Sequence, residues 1–313
     1  MALDIIGLGE PLIEFNQDPS RTGEPIYRLG HGGDTSNVTI AATRQGARTG
    51  YITALGADSF GDSFITLWQR EEVDASRVLR DPVAHTGIYF VSHGPKGHVF
   101  TYMRAGSAAS RLKPESLPLD YISGAKFLHV SGISQAISAV ASDTVFAAVR
   151  HARTKGVKVS YDTNLRLKLW PLDRARAITH ATVPLCDVLL PSLEDAEALT
   201  GLTDADAIAD FYLKLGAPLV ALKLGPEGAL VATAAERRRI AGHPVKVVDA
   251  TGAGDTFDGS FLAVLATGRD PFEAARYANA AAALSTQGYG AVTPIPRREQ
   301  VLALLNTSGS ARS

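Results

Sequence analysis

From about residue 120 onward the chain alternates short apolar runs with segments of helical period, and that alternation admits few folds. Phe127-Leu128-His129-Val130 stops at Ser131-Gly132. Apolar residues then recur at helical spacing through Val140, Val145, Ala148 and Val149, Gly156 closes the helix, and Val157 to Tyr161 is the next strand. Such a crossover makes the two strands parallel, because the chain re-enters the sheet in its original direction. The pattern repeats downstream: Val188-Leu189-Leu190 leads to a helix ended by Gly201, and a helix near 204–215 precedes the strand Leu219 to Leu224. After a hairpin-like stretch from Ala229 to Ile240, Val245-Lys246-Val247-Val248 is expected as a strand feeding a glycine turn. Parallel sheets bind ligands beyond the carboxyl ends of their strands, and the functional site is expected there.

Two stretches, 10–35 and 80–105, break this rhythm. They hold β-favouring pieces, such as Ile88 to Ser92 and Val99 to Met103, separated by Gly and Pro rather than by helices. They read as a small β-sheet standing off the main one, with Phe100 and Tyr102 on the face opposite Val99, Thr101 and Met103. Such a sheet would serve as a lid or as a surface for subunit pairing, so a homo-oligomer is expected. With 313 residues, 45% of them hydrophobic, the chain can build one large core, and 1–313 is expected as one domain. A formal net charge of −1 supplies no global field for nucleic acid or an anionic membrane, so the expected partner is a small molecule. Cys186 is the only cysteine, which excludes an intrachain disulfide. No stretch approaches the roughly 18 apolar residues of a bilayer span, and Met1 to Ile6 reads as a first strand rather than an export signal. A cytoplasmic location is expected, with a disordered tail from Ser308 to Ser313.

The most informative segment is Asp249-Ala250-Thr251-Gly252-Ala253-Gly254-Asp255-Thr256-Phe257, behind which Phe257, Phe261, Leu262 and Leu265 recur at helical spacing up to Gly268. A small-residue turn therefore opens a helix. Free N–H groups and the positive dipole end at such a start hold a phosphate, or the charge that develops as one is transferred. Asp255 beside that anion site is placed to accept a proton from an attacking hydroxyl. Its other reading is a plain dipole partner in the first helical turn. A dinucleotide fingerprint would need Gly at Phe257, and there is no Gly-Lys pair for a Walker-type loop.

The nine residues 249–257, taken with Gly32-Gly33 and Asn37, resemble the paired signatures of the ribokinase-like (PfkB) carbohydrate kinases over nearly the whole chain. Gly32 to Asn37, Tyr102-Met103-Arg104 and Asp162 to Trp170 resemble the 2-keto-3-deoxygluconate kinase branch. The resemblance implies an α/β fold with a mainly parallel sheet flanked by helices and a small β lid. It also implies ATP and Mg2+, with room for a monovalent cation beside the glycine turn. Asp255 would be the base and Gly252, Ala253 and Gly254 the anion hole. Gly33, Asp34 and Asn37 would hold sugar hydroxyls, although Asp34-Thr35-Ser36 also reads as a cap of the helix from about Asn37 to Gln45.

A sugar acid needs a cation at its carboxylate. Arg104 and Arg166 are the candidates, Arg166 also for the transferring phosphate, with Tyr89 and Tyr102 as neutral partners. Trp170 reads as core packing. On the nucleotide side the resemblance implies Asn164, Ser192, the loop Lys223 to Gly228 with Gly225 and Gly228, and Asn279 near the adenine. Where the family usually has Asn-x-x-Glu, this chain has Ser192-Leu193-Glu194-Asp195, so Asp195 is expected to act on magnesium through water. The expected reaction is phosphorylation of 2-keto-3-deoxygluconate at its terminal hydroxyl. The rivals are the same fold acting on fructose, ribose or a nucleoside, and a sugar-binding regulatory protein without catalysis.

Overall fold

The computed structural model describes residues 2–18, 24–94 and 97–310. Its main sheet contains β1 (Leu3–Leu8), β4 (Thr49–Ile52), β9 (Ala125–Ser131), β10 (Lys158–Asp162), β11 (Val188–Leu189), β12 (Leu219–Lys223), β13 (Gly228–Thr233) and β14 (Arg237–Ala241). A second sheet contains β2 (Leu12–Gln17), β3 (Tyr27–Gly32), β7 (Gly87–Gly94) and β8 (Gly97–Met103), while β5 (Ala54–Gly56) and β6 (Leu79–Asp81) form a short pair. The main order is β14-β13-β12-β11-β10-β9-β1-β4. β12 through β4 run parallel, and β13 and β14 add an antiparallel hairpin at one edge. This is a mainly parallel α/β sheet flanked by helices with a small separate sheet, as expected.

Helical period explains how the sheet is covered. Val145, Ala148, Val149 and Ala152 turn one side of the helix Ala139–Thr154 onto one face, beside Ile208, Ala209 and Tyr212 from the helix Ala205–Leu215. The opposite face receives the helices Asp34–Arg44, Ala253–Leu265 and Pro271–Ser285 through Val38, Ala42, Phe257, Phe261, Leu262 and Ala275. Burying a Phe or Leu fully contributes about 1.5–3 kcal/mol, so packing rather than intrinsic propensity holds the helix that follows the glycine turn. The chain leaves β1 for β4 on one side and returns as β9 on the other. That reversal opens a crevice at the carboxyl end of β1.

The second sheet, ordered β3-β2-β7-β8, comes from the two expected stretches; residues 19–23 and 95–96 lie outside the described ones. Its register sets Tyr89 opposite Tyr102, with ring centroids 5.8 Å apart, and Phe100 shares their face. Val99 and Met103 point to the other, largely exposed side.

Three expectations are corrected. Val245 to Val248 is not a strand: Val247 and Val248 face solvent, and the Val248 and Asp249 N–H groups donate to the Thr286 carbonyl. Two valines without a surface to cover do not hold a ladder. The first helix starts at Asp34, not near Asn37, with Gly33 at its cap position and no capping side chain. The helix Arg298–Ser310 continues through Ser308 to Ser310, where a disordered tail was expected. Val301, Leu304 and Leu305 pack it against Tyr277, Ala280 and Ala281, and residues 311–313 lie outside the described ones.

Candidate active site

The carboxyl ends of the parallel strands and the inner face of the lid enclose a cleft of about 910 Å3. One wall is the start of the helix Ala253–Leu265. Gly252 precedes it at φ 75°, and a Cβ there would come within 3.0 Å of the Ala291 carbonyl oxygen, so only glycine suits this turn. Gly252, Gly254 and Asp255 line the cleft, while Ala253 does not. The Asp255 carboxylate caps nothing: its Oδ2 accepts from Asn37 Nδ2 at 2.7 Å. A helix start favours an anion, but burial and the carboxylates of Asp34 and Asp162 outweigh it and raise Asp255 from the usual 3.8 to about 7, against the opposing pull of Asn37 and Lys223. At neutral pH this group both gives up and takes back a proton readily.

Facing it is the first turn of the Asp34 helix. Gly33 sits at φ 103°, and a Cβ there would also collide with the Glu10 carbonyl oxygen at 2.5 Å, so glycine lets the lid strand β3 run straight into the helix. Asp34 Oδ2 accepts from Asn164 Nδ2 at 3.0 Å. Asn164 is held in the left-handed region at φ 30°, a strained conformation that Asn bears better than most residues. Asp34 Oδ1 and Asn37 Oδ1 are buried with no hydrogen-bond partner. Both residues line the cleft, so the two acceptors lie where hydroxyl donors of a ligand would satisfy them. Burial raises the Asp34 carboxyl above its ordinary value, with the Asp162 charge adding to it.

The lid contributes Tyr89, Phe100, Tyr102 and Arg104. Tyr89 donates its hydroxyl to Glu14, and Ser107 donates to Glu10. Arg104 forms a buried ion pair with Glu10, its Nε donating to Oε2 at 2.7 Å, and its guanidinium lies 5.7 Å from the Tyr102 ring centroid. Its charge is thus already met by a protein carboxylate. Arg166 and Lys168 line the rim and, among the described residues, are in no ion pair.

Toward the far end the cleft is lined by Asn164, Ser192, Asp195, Lys223 and Gly225. Ser192 caps the helix Leu193–Thr200, its Oγ accepting from Asp195 N at 3.2 Å. Asp195 Oδ2 accepts from Leu165 N at 3.0 Å, and burial, with Asp162 second, raises its proton affinity. Lys223 is held between Asp258, at 3.0 Å from both oxygens, and Asp162 at 3.2 Å. Gly228 and Asn279 do not line the cleft. Asn279 instead donates to the Ile240 and Ala241 carbonyls and ties its helix to β14. Trp170 is buried with Leu165, Ala175 and Leu199.

Residues 8–298 match the profile of the pfkB family carbohydrate kinases. The chain belongs to this family. This pfkB kinase is 34% identical over 313 residues to a 2-dehydro-3-deoxygluconokinase of Bacillus subtilis (strain 168), covering 98% of this chain and 96% of the relative. It is 36% identical to a 2-dehydro-3-deoxygluconokinase of Thermoproteus tenax (96% and 94% covered) and 32% identical to fructokinase-2 of Solanum habrochaites (96% and 95%). Among solved structures, fructokinase from Vibrio cholerae O395 with fructose, ADP and calcium superposes with a TM-score of 0.87 at 30% identity, over 97% of this chain and 99% of the other. A protein described as ribokinase II from E. coli, in complex with ATP and Mg2+, does so with a TM-score of 0.89 at 26% identity, over 97% and 99%.

Sequence reasoning about this pfkB kinase missed Glu10, Glu14 and Asp258 and gave Asp162 and Lys168, both inside the quoted segment, no role. Glu10 and Asp162 follow or end strands at the carboxyl edge of the sheet, a signal that was present in the sequence. Nothing local pairs Glu10 with Arg104 or Asp258 with Lys223, because those contacts join distant strands and helices.

Proposed function

We propose that this chain transfers the γ-phosphoryl group of ATP to the terminal hydroxyl of 2-keto-3-deoxygluconate, giving the 6-phospho sugar acid and ADP. The observation that carries the reading is the Asp255 carboxylate, raised to about 7 beside a helix start, in a cleft walled by unpaired sugar-type acceptors. Asp255 takes the proton of the attacking hydroxyl as its oxygen bonds to phosphorus. The bond from phosphorus to the bridging oxygen breaks toward ADP, and the proton later leaves to solvent. The N–H groups following Gly252 face the charge that builds on the transferring phosphoryl. Asp34 and Asn37 accept from sugar hydroxyls and fix the acceptor against Asp255.

Solved relatives with ATP and Mg2+, or with ADP and calcium, support nucleotide and divalent ion as the working pair. Among the described residues no group of three His, Cys, Asp or Glu side chains is placed to hold a metal by itself. The ion therefore fits as one carried by the nucleotide phosphates. Asp195 is bound through one oxygen by Leu165, which leaves the other for a metal-borne water. Bound there, Mg2+ neutralises phosphate charge.

The acid end of the substrate is assigned to Arg166 at the rim, with Lys168 beside it, while Arg104 keeps its pair with Glu10 and shapes the wall below them. The two 2-dehydro-3-deoxygluconokinases among the relatives favour the sugar acid, and the fructokinase makes fructose the second reading. A coupled ADP-release assay over 2-keto-3-deoxygluconate, fructose, ribose and adenosine separates them. The sugar acid is expected to give the highest kcat/KM. Arg166→Ala is expected to lose about tenfold or more on the acid, and much less on fructose, because a hydrogen bond to a charged group is worth about 1.5–3 kcal/mol. An Arg166→Ala enzyme that weakens equally on every sugar would remove the acid reading. Near-normal turnover in Asp255→Asn would remove the base.

A further inference from the structure

Beneath the glycine turn lies a buried polar cluster that the reaction as written does not use. Lys223, at the end of β12, has its ammonium 3.0 Å from both Asp258 oxygens and 3.2 Å from Asp162 Oδ2. The Asp258 side chain is fully buried and those of Lys223 and Asp162 nearly so. Asp258 is one helical turn beyond Asp255 on the same helix, while Asp162 ends β10. A Cβ placed on Gly254 would stand 3.6 Å from Lys223 Nζ, so the ammonium lies directly under the turn that opens the helix. Through Asp162 Oδ1 the cluster continues to Asn164 N at 3.2 Å, and Asn164 in turn donates to Asp34. One cation thus ties together the helix of the base, two strand ends and the sugar-binding turn.

We infer that Lys223 is a positioning residue for phosphoryl transfer: clamped by Asp162 and Asp258, it fixes the helix start and sets a cation under the turn against the carboxylates that crowd Asp255, rather than binding the nucleotide. The alternative role, a lysine reaching into the cleft for phosphate, asks the ammonium to leave two buried carboxylates. Both would then be buried without a cation, Asp162 keeping only the Asn164 N–H and Asp258, whose proton affinity burial already raises, losing its counter-charge, at a cost of several kcal/mol. The charges around the base fit the same role. Asp34 on its helix and Asp162 on β10 push the Asp255 carboxylate toward its neutral form, and Tyr89 of the lid faces it. Asn37 and Lys223 are the groups that oppose them. Lys223 itself is held charged by Asp162, Asp258 and Asp255 against the effect of its burial, and His129 and Asp195 also feel its charge.

This inference rests on Asp255 being the base, and the test separates the two. In Lys223→Met the cation is gone while Asp34 and Asp162 remain, so ionising Asp255 becomes harder. The acid limb of the kcat/KM profile is expected to move upward by about one pH unit or more, giving about tenfold lower activity below the limb and recovery at alkaline pH. Lys223→Arg should leave the limb in place. Because Lys223→Met strands two buried carboxylates, Lys223→Met/Asp258→Leu serves as the second variant and should show the same upward limb. A raised KM for ATP with an unmoved limb would overturn the inference in favour of a nucleotide contact. A loss of kcat that is uniform with pH, or failure of both methionine variants to fold in a thermal melt, would overturn it in favour of a purely structural clamp. Asp255→Asn is measured alongside: if it keeps its turnover, the base reading itself has failed. If it is inactive while the Lys223→Met limb is unmoved, only the role of Lys223 has failed.

Discussion

Acidification from pH 8 to pH 6 should slow this enzyme about tenfold through a single carboxylate. In the proposed reaction the ionised form of Asp255 accepts the hydroxyl proton, and with its carboxyl raised to about 7 that form falls from about nine-tenths to about one-tenth over this range. The sign follows from burial: a raised carboxylate is lost as a base on the acid side of 7, so activity rises with pH and levels off above 8. The structure also provides a control that moves this limb without touching the nucleotide. Asn37 Nδ2 donates to Asp255 Oδ2 at 2.7 Å. A hydrogen bond to a charged group is worth about 1.5–3 kcal/mol, and about 1.4 kcal/mol corresponds to one pH unit. Asn37→Leu should therefore carry the limb upward by about one to two pH units, besides raising the sugar KM. The assay is kcat/KM for the sugar at saturating MgATP between pH 5.5 and 9, read by coupled ADP release. A profile flat from pH 6 to 8, or an Asn37→Leu limb that coincides with the wild-type one, would refute the assignment of the titrating group to Asp255.

Two further outcomes are expected. Gly252→Ala forces an L side chain into φ 75° against the Ala291 carbonyl, which costs about 1–2 kcal/mol and tilts the N–H groups of the anion site. Steady-state kinetics should show kcat reduced by about tenfold or more, and a normal kcat would dismiss the turn as an anion site. Arg44 binds Glu71 through Nε at 2.9 Å and the carbonyls of Val292 and Ile295 through Nη1 at 3.0 and 2.6 Å. It thereby secures the loop that backs Gly252. Arg44→Met leaves Glu71 with only the more distant Arg70 and Arg297, at 3.6 and 3.8 Å, which costs about 1.5–3 kcal/mol, and Tm measured by calorimetry should fall by roughly 2–5 °C; an unchanged Tm would count against the clamp.

The parallel sheet was legible because each strand is a short apolar run and each crossover keeps helical period, as from Phe127 to Tyr161. The glycine turn and Asp255 were legible because a local motif encodes a local geometry. Val245 to Val248 misled because valine favours a strand only where a neighbour covers it, and here Val247 and Val248 are exposed. The last helix carried a readable spacing at Val301, Leu304 and Leu305, overlooked beside the polar Ser308 to Ser313. Asn279 was placed near the adenine by resemblance, while the structure directs its amide to two β14 carbonyls. The pairs Glu10–Arg104 and Lys223–Asp258 were beyond reach, since no periodicity relates residues that meet only after the sheet has closed.

The pairing of β2 with β7, which sets Leu12 beside Gly87, has a bearing on assembly of the molecule. The roof over the substrate is stitched from two separate lengths of chain, with the Asp34 helix and its neighbour Ser59–Arg70 wound between them. Closing so large a loop is slow, so the roof should be among the last parts to form during folding. A nascent chain halted before Gly87 would present the β2–β3 ribbon with an unpaired edge, a natural attachment point for chaperones or for misassembly.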